Sequence, residues 1–454
     1  LIDAAEIGCG ETGRTTAHFF PPDNRYFEIE DAFGAENARL VAESFQQATA
    51  LVETIVEQEG IDCEFERLNG YLFSLNPEGN ADLDREFEAA RKAGVEIGKK
   101  GQVPDVSFIT GPCLEFRNQA QFHPLKYLGG LIEAFRRKGG SIYTRTRALD
   151  ISRCGTALKV ITESGSIVAH AVVVATNTPF NDDVVMHTKQ AAYRTYVVGI
   201  RVPKGSVPRI LLWDNGDPYH YIRLTTPDDK SEEEILVVGG ADHKVGQDEH
   251  PVHRYDEIEA WVRKRYPMAG PVDFKWSGQV MEPADGIGYM GRNPMDDKNV
   301  YVITGDSGNG MTHCTAGAMV VTDLIMGRDN AWQDLYDPAR KPIHGMPEFL
   351  QELGNTVMQY ADWVKGGDVE SPAQIQPGKG AILRQGGRKL AVYRDDNGVL
   401  HAFSAACTHM GCVVSWNAAE TSWDCPCHGS RFSVSGEVLH GPAVMPLEAA
   451  QVDP

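Results

Sequence analysis

The sequence predicts an α/β domain, a parallel sheet joined to an antiparallel one, followed by a small all-β domain. Three observations carry that prediction. Two apolar runs, Ala171-Val-Val-Val-Ala-Thr-Asn177 and Asn299 to Thr304, end in small or glycine-rich segments, as strands buried on both faces of a parallel sheet do. The block from about 184 to 281 is strand-rich, with one helix near Tyr255 to Arg265. From Ile375 onward short strands alternate with glycine turns.

The elements follow in order. Leu1-Ile2-Asp3 reads as the end of a strand, and Gly8 to Thr16 as a Gly/Thr-rich loop. From Asn37 to Glu57 the positions Val41, Phe45, Ala48, Val52 and Ile55 step by four and three, the period of an amphipathic helix. Gly70 to Leu75 reads as a short strand, and Ala81 to Ala93 as a charged surface helix stopped by Gly94. Pro124 to Lys138 starts on proline and stops at Gly139-Gly140, the usual asymmetry of helix ends. Alternating strands fill Ser141 to His170. The loop Gly305-Asp-Ser-Gly-Asn-Gly310 opens a small-residue helix to Met326. Residues 337–367, with prolines, glycines and a short helix, read as a connector between domains at 1–336 and 368–454. The second domain has strands at Lys379 to Arg384, Lys389 to Arg394 and Val399 to Ser404, with a turn at 395–398.

The chain has 454 residues, enough for two or three domains at about 150 residues each. It is 42% hydrophobic and 23% charged, which supports a sizeable core and excludes wholesale disorder. The net charge of −20 argues against nucleic acid or an anionic membrane as partner. The best apolar window, Ala316 to Met326, is broken by Thr322 and Asp323, so no membrane span is expected. With no signal-peptide pattern, the expected location is the cytoplasm. Nine cysteines are unevenly spread, and the group 407, 412, 425 and 427 suggests a metal site rather than a disulfide scaffold.

The sharpest motif is Cys407-Thr-His409-Met-Gly-Cys412 with Cys425-Pro-Cys427-His428-Gly-Ser430. Each loop offers a thiolate and an imidazole. Zinc also accepts two Cys and two His, but zinc fingers group Cys with Cys and His with His. The mixed loops resemble the Rieske family over 368–454. The resemblance implies that Cys407 and Cys425 bind one iron and His409 and His428 the other. It also implies a Cys412–Cys427 disulfide, as in the cytochrome bc subset, a closure worth about 3 kcal/mol. High-potential members follow the second His with a Ser and a Tyr that donate hydroxyls to the cluster. Here these positions hold Ser430 and Phe432, which implies an intermediate potential.

Gly8, Gly10 and Gly13 spell G-x-G-x-x-G, yet Pro21-Pro22 arrives before a helix could follow. Asp3 instead suits the end of a second strand, its carboxylate toward an adenosine ribose. That placement puts the first strand and its pyrophosphate-binding glycines upstream of Leu1. Four segments then resemble the FAD-dependent amine and amino-acid oxidoreductases related to D-amino-acid and sarcosine oxidases. They are Gly13-Arg-Thr-Thr-Ala-His18, Ala171 to Asn177, Trp276-Ser-Gly278 with Pro283-Ala-Asp285-Gly286 and Gly291, and Gly305 to Thr312. The resemblance implies a Rossmann-like FAD-binding sheet plus an antiparallel substrate sheet, ahead of an all-β Rieske domain. FAD and a [2Fe-2S] cluster are the expected cofactors. FAD contacts are expected at Asp3, Gly13, Arg14, Thr15, Gly305, Asp306, Gly308, Gly310, Met311 and Thr312. The expected activity is oxidation of a small amine or amino acid, with electrons exchanged through the cluster and with a redox partner protein. No catalytic acid or base is assigned. The rival reading is an electron-transfer protein with a vestigial flavin domain.

Asp242, His243, Asp248, His250, His253 and Asp256 are dense in metal-ligand types but lack the oxygenase spacing, and read as a solvated acidic loop. Cys314 reads as a small packed residue at a helix start, with a flavin tether as rival. Cys9, Cys63, Cys113 and Cys154 read as inert core thiols. His18 reads as a hydrogen-bonded loop histidine or a flavin neighbour.

Overall fold

The chain enters beside another segment: Ile2 bridges in parallel to Tyr143, and Asp3 N–H donates to Tyr143 O at 2.9 Å. The computed structural model describes residues 1–22, 25–75, 79–181, 186–226, 231–248, 250–341, 354, 359 and 361–452. The first elements are β1 (His18–Phe19), α1 (Tyr26–Phe33), α2 (Ala35–Glu59), β2 (Glu66–Phe73), α3 (Asn80–Lys92), β3 (Ile97–Lys100), β4 (Cys113–Gln121) and α4 (Pro124–Arg137). A three-stranded antiparallel flap follows, β5 (Ala148–Cys154), β6 (Ala157–Thr162) and β7 (Gly165–Ala169), then β8 (Val172–Val174). Next come β9 (Gln190–Pro203), β10 (Leu211–Asp214), β11 (His220–Thr225), β12 (Glu233–Lys244), α5 (His253–Arg265) and β13 (Val272–Pro283). The first part closes with β14 (Tyr289–Arg292), β15 (Val300–Thr304) and α6 (Gly310–Met326).

Two sheets organise this part. A small one runs β14-β15-β8, with β15 and β8 parallel. The large one runs β1-β4-β2-β10-β11-β12-β9-β13 among the described residues, with β3 on β4. The predicted antiparallel stretch at 184–281 is therefore only part of its sheet: strands from residues 18–121 complete it, joined by the parallel pair β2–β10. Nor is β8 buried on both faces, since Val173 is 43% exposed.

Packing explains the composition of the helices. On α2, Val41, Ala48 and Val52 are buried, as the periodicity predicts. On α6, a side chain at Gly317 would come within 2.9 Å of Ile303, so the helix must be small there to lie close on β15. One apolar core fills the space between α1–α3, α6 and β14–β15, and another lies between α5 and the large sheet.

The last part holds two small sheets, β16 (Lys379–Gln385), β17 (Arg388–Arg394) and β18 (Leu400–Ser404), then β19 (Ser415–Asn417), β20 (Ser422–Asp424), β21 (Arg431–Phe432) and β22 (Val438–His440). It has its own cores around Trp423 and Phe432 and around Leu383 and Val392. Most of the predicted connector helix falls outside the described residues. Asp242 and His243 sit on β12 rather than in a solvated loop, so the acidic segment begins inside the sheet. Of the scattered cysteines, Cys63 and Cys113 are buried as expected, while Cys9 and Cys154 are exposed.

Where the first part ends, Arg340 forks onto Asp285, Nε to Oδ2 and Nη2 to Oδ1, both at 2.8 Å. Arg340 also donates to Gly288 O at 2.7 Å and to Ile287 O, and covers the Tyr289 ring. Removing one partner of a buried pair leaves the other charge uncompensated. Asp285→Ala should lower the unfolding free energy of the full-length protein by about 3–5 kcal/mol in urea titrations. An unchanged midpoint would contradict this account.

Candidate functional site

The loop between β15 and α6 turns tightly. Gly305 and Gly308 have φ of 74° and 75°, a region that side chains rarely adopt. The α6 N-cap, Asn309, makes no side-chain cap, so first-turn N–H groups stay open to a ligand. Thr312 Oγ1 and Asn309 Oδ1 are buried with no hydrogen bond among the described residues. The open N–H groups and the Thr312 hydroxyl are donors that fit the oxygens of an electron-rich group such as a flavin, and Asn309 Oδ1 is left to accept from an N–H. Gly305, Asp306, Gly308, Gly310, Met311 and Thr312 thus come together at one helix end. Met311 packs against the core of Ala17 and Phe19, tying that end to the loop 13–18.

Of the other predicted contacts, Arg14 and Thr15 join Gly8, Gly13, Trp276 and Glu420 in lining a cleft of about 510 Å³. The G-x-G-x-x-G segment folds as a 3₁₀ turn, Glu11–Gly13, with no α-helix before Tyr26 among the described residues. Asp3 lies beside Tyr143, half-buried, its Oδ1 accepting from Ala5 N–H at 2.8 Å. Thr15 Oγ1 accepts from Ala17 N–H at 3.1 Å.

The loop is acidic. Burial pushes the Glu282 carboxyl up to about 7, although Ser307 Oγ donates to Oε2 at 2.6 Å. Burial likewise pushes Asp306 up to about 6; its Oδ1 accepts from Met281 N–H at 3.5 Å. Cys314 is exposed rather than packed, the opposite of its sequence-based reading. Although its surface is exposed, the protein mass around it, with Asp306, pushes its thiol up to about 12. A thiol so hard to ionise is a poor nucleophile for tethering a flavin.

The second centre lies at the tip of the last part. The loop after β18 closes on itself through Gly411 N–H to Cys407 O and Cys407 N–H to Cys412 O, both 2.8 Å. The loop after β20 closes through Cys425 N–H to Ser430 O at 2.7 Å and Gly429 N–H to Cys425 O at 3.1 Å. Cys407 and Cys425 are buried side by side, and the His409 and His428 rings stand 5.1 Å apart, edge to face. The Cys425 side chain, the N–H groups of His409 and Met410 and the Ser430 hydroxyl together draw the Cys407 thiol below its ordinary value. Ser430 Oγ also accepts from Ala443 N–H at 3.0 Å, which orients it. The sulfurs of Cys412, Cys425 and Cys427 lie close, but Cys412 and Cys427 are bonded to each other as a disulfide. The remaining set of two thiols and two imidazoles fits a [2Fe-2S] centre with mixed ligands.

The two parts of the chain meet across an interface with no sequence signature. The His187 ring touches those of His409 and His428, with centroids 4.7 and 5.2 Å away. Gly429 has φ of 79°, and a side chain there would reach within 2.5 Å of Ala192 and 2.7 Å of Gln279. Beside it lies a buried ion network. Glu420, on the turn between β19 and β20, meets Arg14 at 3.1 Å, Arg194 at 3.2 Å and Arg431 at 3.4 Å. Ser277 Oγ donates to Glu420 Oε1, and Arg194 Nε donates to Ser277 Oγ at 2.7 Å. Burial alone would raise the Glu420 carboxyl, but Arg194, Ser277, Arg431 and Arg14 hold it below the usual carboxylate range. Ser277 was visible within a motif; Arg194, His187, Gln279 and Glu420 had no motif to mark them.

Gly429→Ala should therefore disturb docking more than the cluster loop itself. The expected result is a larger radius of gyration in solution scattering, with the cluster absorbance retained. An unchanged radius would show that the interface can yield there.

Comparisons with known proteins agree with both centres. The family described as FAD dependent oxidoreductase matches residues 1–324, and the Rieske [2Fe-2S] domain family matches 366–451. A putative Rieske 2Fe-2S iron-sulfur protein, YhfW of Bacillus subtilis (strain 168), is 33% identical, covering 100% of this chain and 88% of that protein. The gamma-glutamylputrescine oxidoreductase of Escherichia coli (strain K12) is 24% identical, over 72% of this chain and 78% of its own length. Among solved structures, glycine oxidase from Geobacillus kaustophilus superposes with a TM-score of 0.61 at 17% identity, covering 75% of this chain and 91% of that one.

Proposed function

Since this chain belongs to the FAD dependent oxidoreductase family and carries a Rieske [2Fe-2S] domain, we propose that it oxidises a small amine or amino-acid-like substrate and exchanges the electrons through its iron–sulfur centre. One observation carries this reading: the histidine side of the candidate cluster site is docked on β9 and β13, the strands that continue toward the candidate flavin loop. A vestigial flavin domain would have no reason to seat that face. The names of the gamma-glutamylputrescine oxidoreductase and the glycine oxidase support the amine and amino-acid class. In this reading residues 1–336 form the oxidoreductase domain, 368–454 the Rieske domain, and 337–367 the connector.

Bound FAD would supply two-electron oxidation at a C–H bond, and a bound cluster one-electron transfer. The open N–H groups of α6 and the Thr312 hydroxyl would hold the flavin, with Arg14 and Thr15 across the cleft. Glu282 can hold or release a proton near neutral pH at the carboxyl that Ser307 steadies. Cys407, Cys425, His409 and His428 would ligate iron, and the Cys412–Cys427 disulfide joins their two loops.

The test is anaerobic mixing of holoprotein with a panel of small amines and amino acids. Flavin bleaching followed by the electron-paramagnetic signal of a reduced cluster supports the proposal. Bleaching that never reaches the cluster would overturn the electron route. The two centres have separate cores. Cys407→Ser or His428→Ala should thus abolish the cluster signal while flavin stoichiometry stays unchanged; concerted loss of both cofactors would refute that independence.

Phe432 is fully buried in the same core as Cys407 and Cys425. A hydroxyl there could stabilise the extra charge of a reduced cluster. Phe432→Tyr should raise the midpoint potential by tens of millivolts in a potentiometric titration, where 59 mV is tenfold for one electron. An unchanged or lowered midpoint would mean that the phenol does not reach a cluster sulfur.

A further inference from the structure

The ligand set of the candidate cluster site is complete without His187. Two thiols and two imidazoles satisfy both irons. His187 comes from the other part of the chain, three residues before β9 begins at Gln190. Yet its ring lies against both imidazoles of the set. The centroid of His409 is 4.7 Å away with the planes at 71°, and that of His428 is 5.2 Å away with the planes at 49°. His187 is 4% exposed and His428 6%, so this contact is shielded from solvent.

The same segment reaches the glycine loop before α6 at its other end. Lys189 N–H donates to Met186 O at 3.1 Å, and Lys189 O accepts from Ala284 N–H at 2.8 Å, which holds the segment beside the end of β13. Gln190 is buried, and its Oε1 accepts from Thr304 Oγ1 at 3.1 Å. Thr304 ends β15 and Gly305 follows; a side chain at Gly305 would lie 3.3 Å from Gln190 Oε1. One ring contact, the chain from 187 to 190 and one hydrogen bond therefore join the imidazoles of the cluster site to the candidate flavin loop. The contact at Gly429 is less direct, because it reaches an imidazole only through the main chain of His428. Electrons cross a protein by tunnelling, which weakens steeply across any gap that packing leaves open, so a ring seated on both histidines matters more than its place in the fold alone would suggest.

We infer that His187 is the contact through which electrons pass between the flavin part and the cluster, with Gln190 joining it to the flavin loop. This rests on the reading in which the two centres exchange electrons, and it is testable without an amine. Each passage moves one electron and makes or breaks no bond. One electron leaves the two-electron-reduced flavin and enters the oxidised cluster. The second follows once a one-electron acceptor protein has emptied the cluster, and the proton on the flavin ring nitrogen goes to water. In the test, a laser flash with EDTA as sacrificial electron donor reduces the flavin of the holoprotein, and the absorbance and electron-paramagnetic signal of the cluster report the arrival of the electron. Wild type, His187→Ala and His187→Phe are compared, with the midpoint potentials of both centres titrated in each. His187→Ala should slow cluster reduction at least tenfold at an unchanged difference in midpoint, with the wild-type radius of gyration in solution scattering. His187→Phe keeps a ring at the contact and should restore most of the rate. Equal rates in wild type and His187→Ala, a His187→Phe variant as slow as His187→Ala, a slowing explained by shifted midpoints, or a slowing accompanied by a larger radius would each overturn the inference. If the photoreduced flavin feeds the cluster through His187 but no amine bleaches the flavin, the contact stands and the amine-oxidation reading falls. If amines bleach the flavin and the cluster fills as fast in His187→Ala as in wild type, the reverse holds.

Discussion

Glu420 is the interaction on which the joint between the two halves depends. Its carboxylate gathers Arg14 from the flavin-side loop, Arg194 from the large sheet and Arg431 from the cluster-bearing part. Asp424 offsets Arg431 from below, and Glu11 stands near Arg194 and Arg431 while accepting from Gln279 N–H. Three cations and three anions share a region where Arg194 is fully buried. Desolvating such charges costs several kcal/mol each, so the network is weak evidence for stability. What it supplies is position. Any other register of the two halves would leave Arg194 buried without its anion.

That position decides what the histidine side of the cluster site can face. His428 is buried, and Gly429 lies against Ala192 and Gln279 so closely that no side chain fits between them. The same strand, β13, continues to Met281 and Glu282, whose neighbours Asp306 and Ser307 belong to the loop before α6. A packing contact at Gly429, then strand β13 and its hydrogen bonds to the loop before α6, therefore connect the candidate cluster site to the candidate flavin loop. Along it stand carboxyls that burial holds near neutral titration, which suits chemistry in which protons and electrons part company.

Two surfaces of the large sheet thus meet different parts of the molecule. Ser277 and Gln279 on β13 and Arg194 on β9 face the cluster-bearing part. Gly278, Thr195, Tyr221 and Arg223 face the other way, toward the loop at 13–18. Because side chains alternate along a strand, one β-sheet can present two such surfaces back to back, without the polar groups of one disturbing the other.

The sequence by itself determined what depends on neighbours in the chain. The paired Cys/His loops, the glycine loop before α6, the amphipathic α2 and the hairpins of the last part are local patterns, and each formed close to where its residues placed it. The G-x-G-x-x-G segment was rightly set aside because Pro21-Pro22 forbids the helix that motif needs. Where local pattern misled, a distant segment had intervened. Asp242 looked like a loop acid but was drawn into β12, and Cys314 looked like a packed small residue but is exposed. Only the tertiary structure decided the partners of the buried charges. Arg14 and Glu420 are 406 positions apart, and Arg194 is buried only because folding brings that carboxylate to it. Burial and pairing arise from segments that meet in space, and no periodicity along the chain encodes which charges those segments will leave together or leave alone.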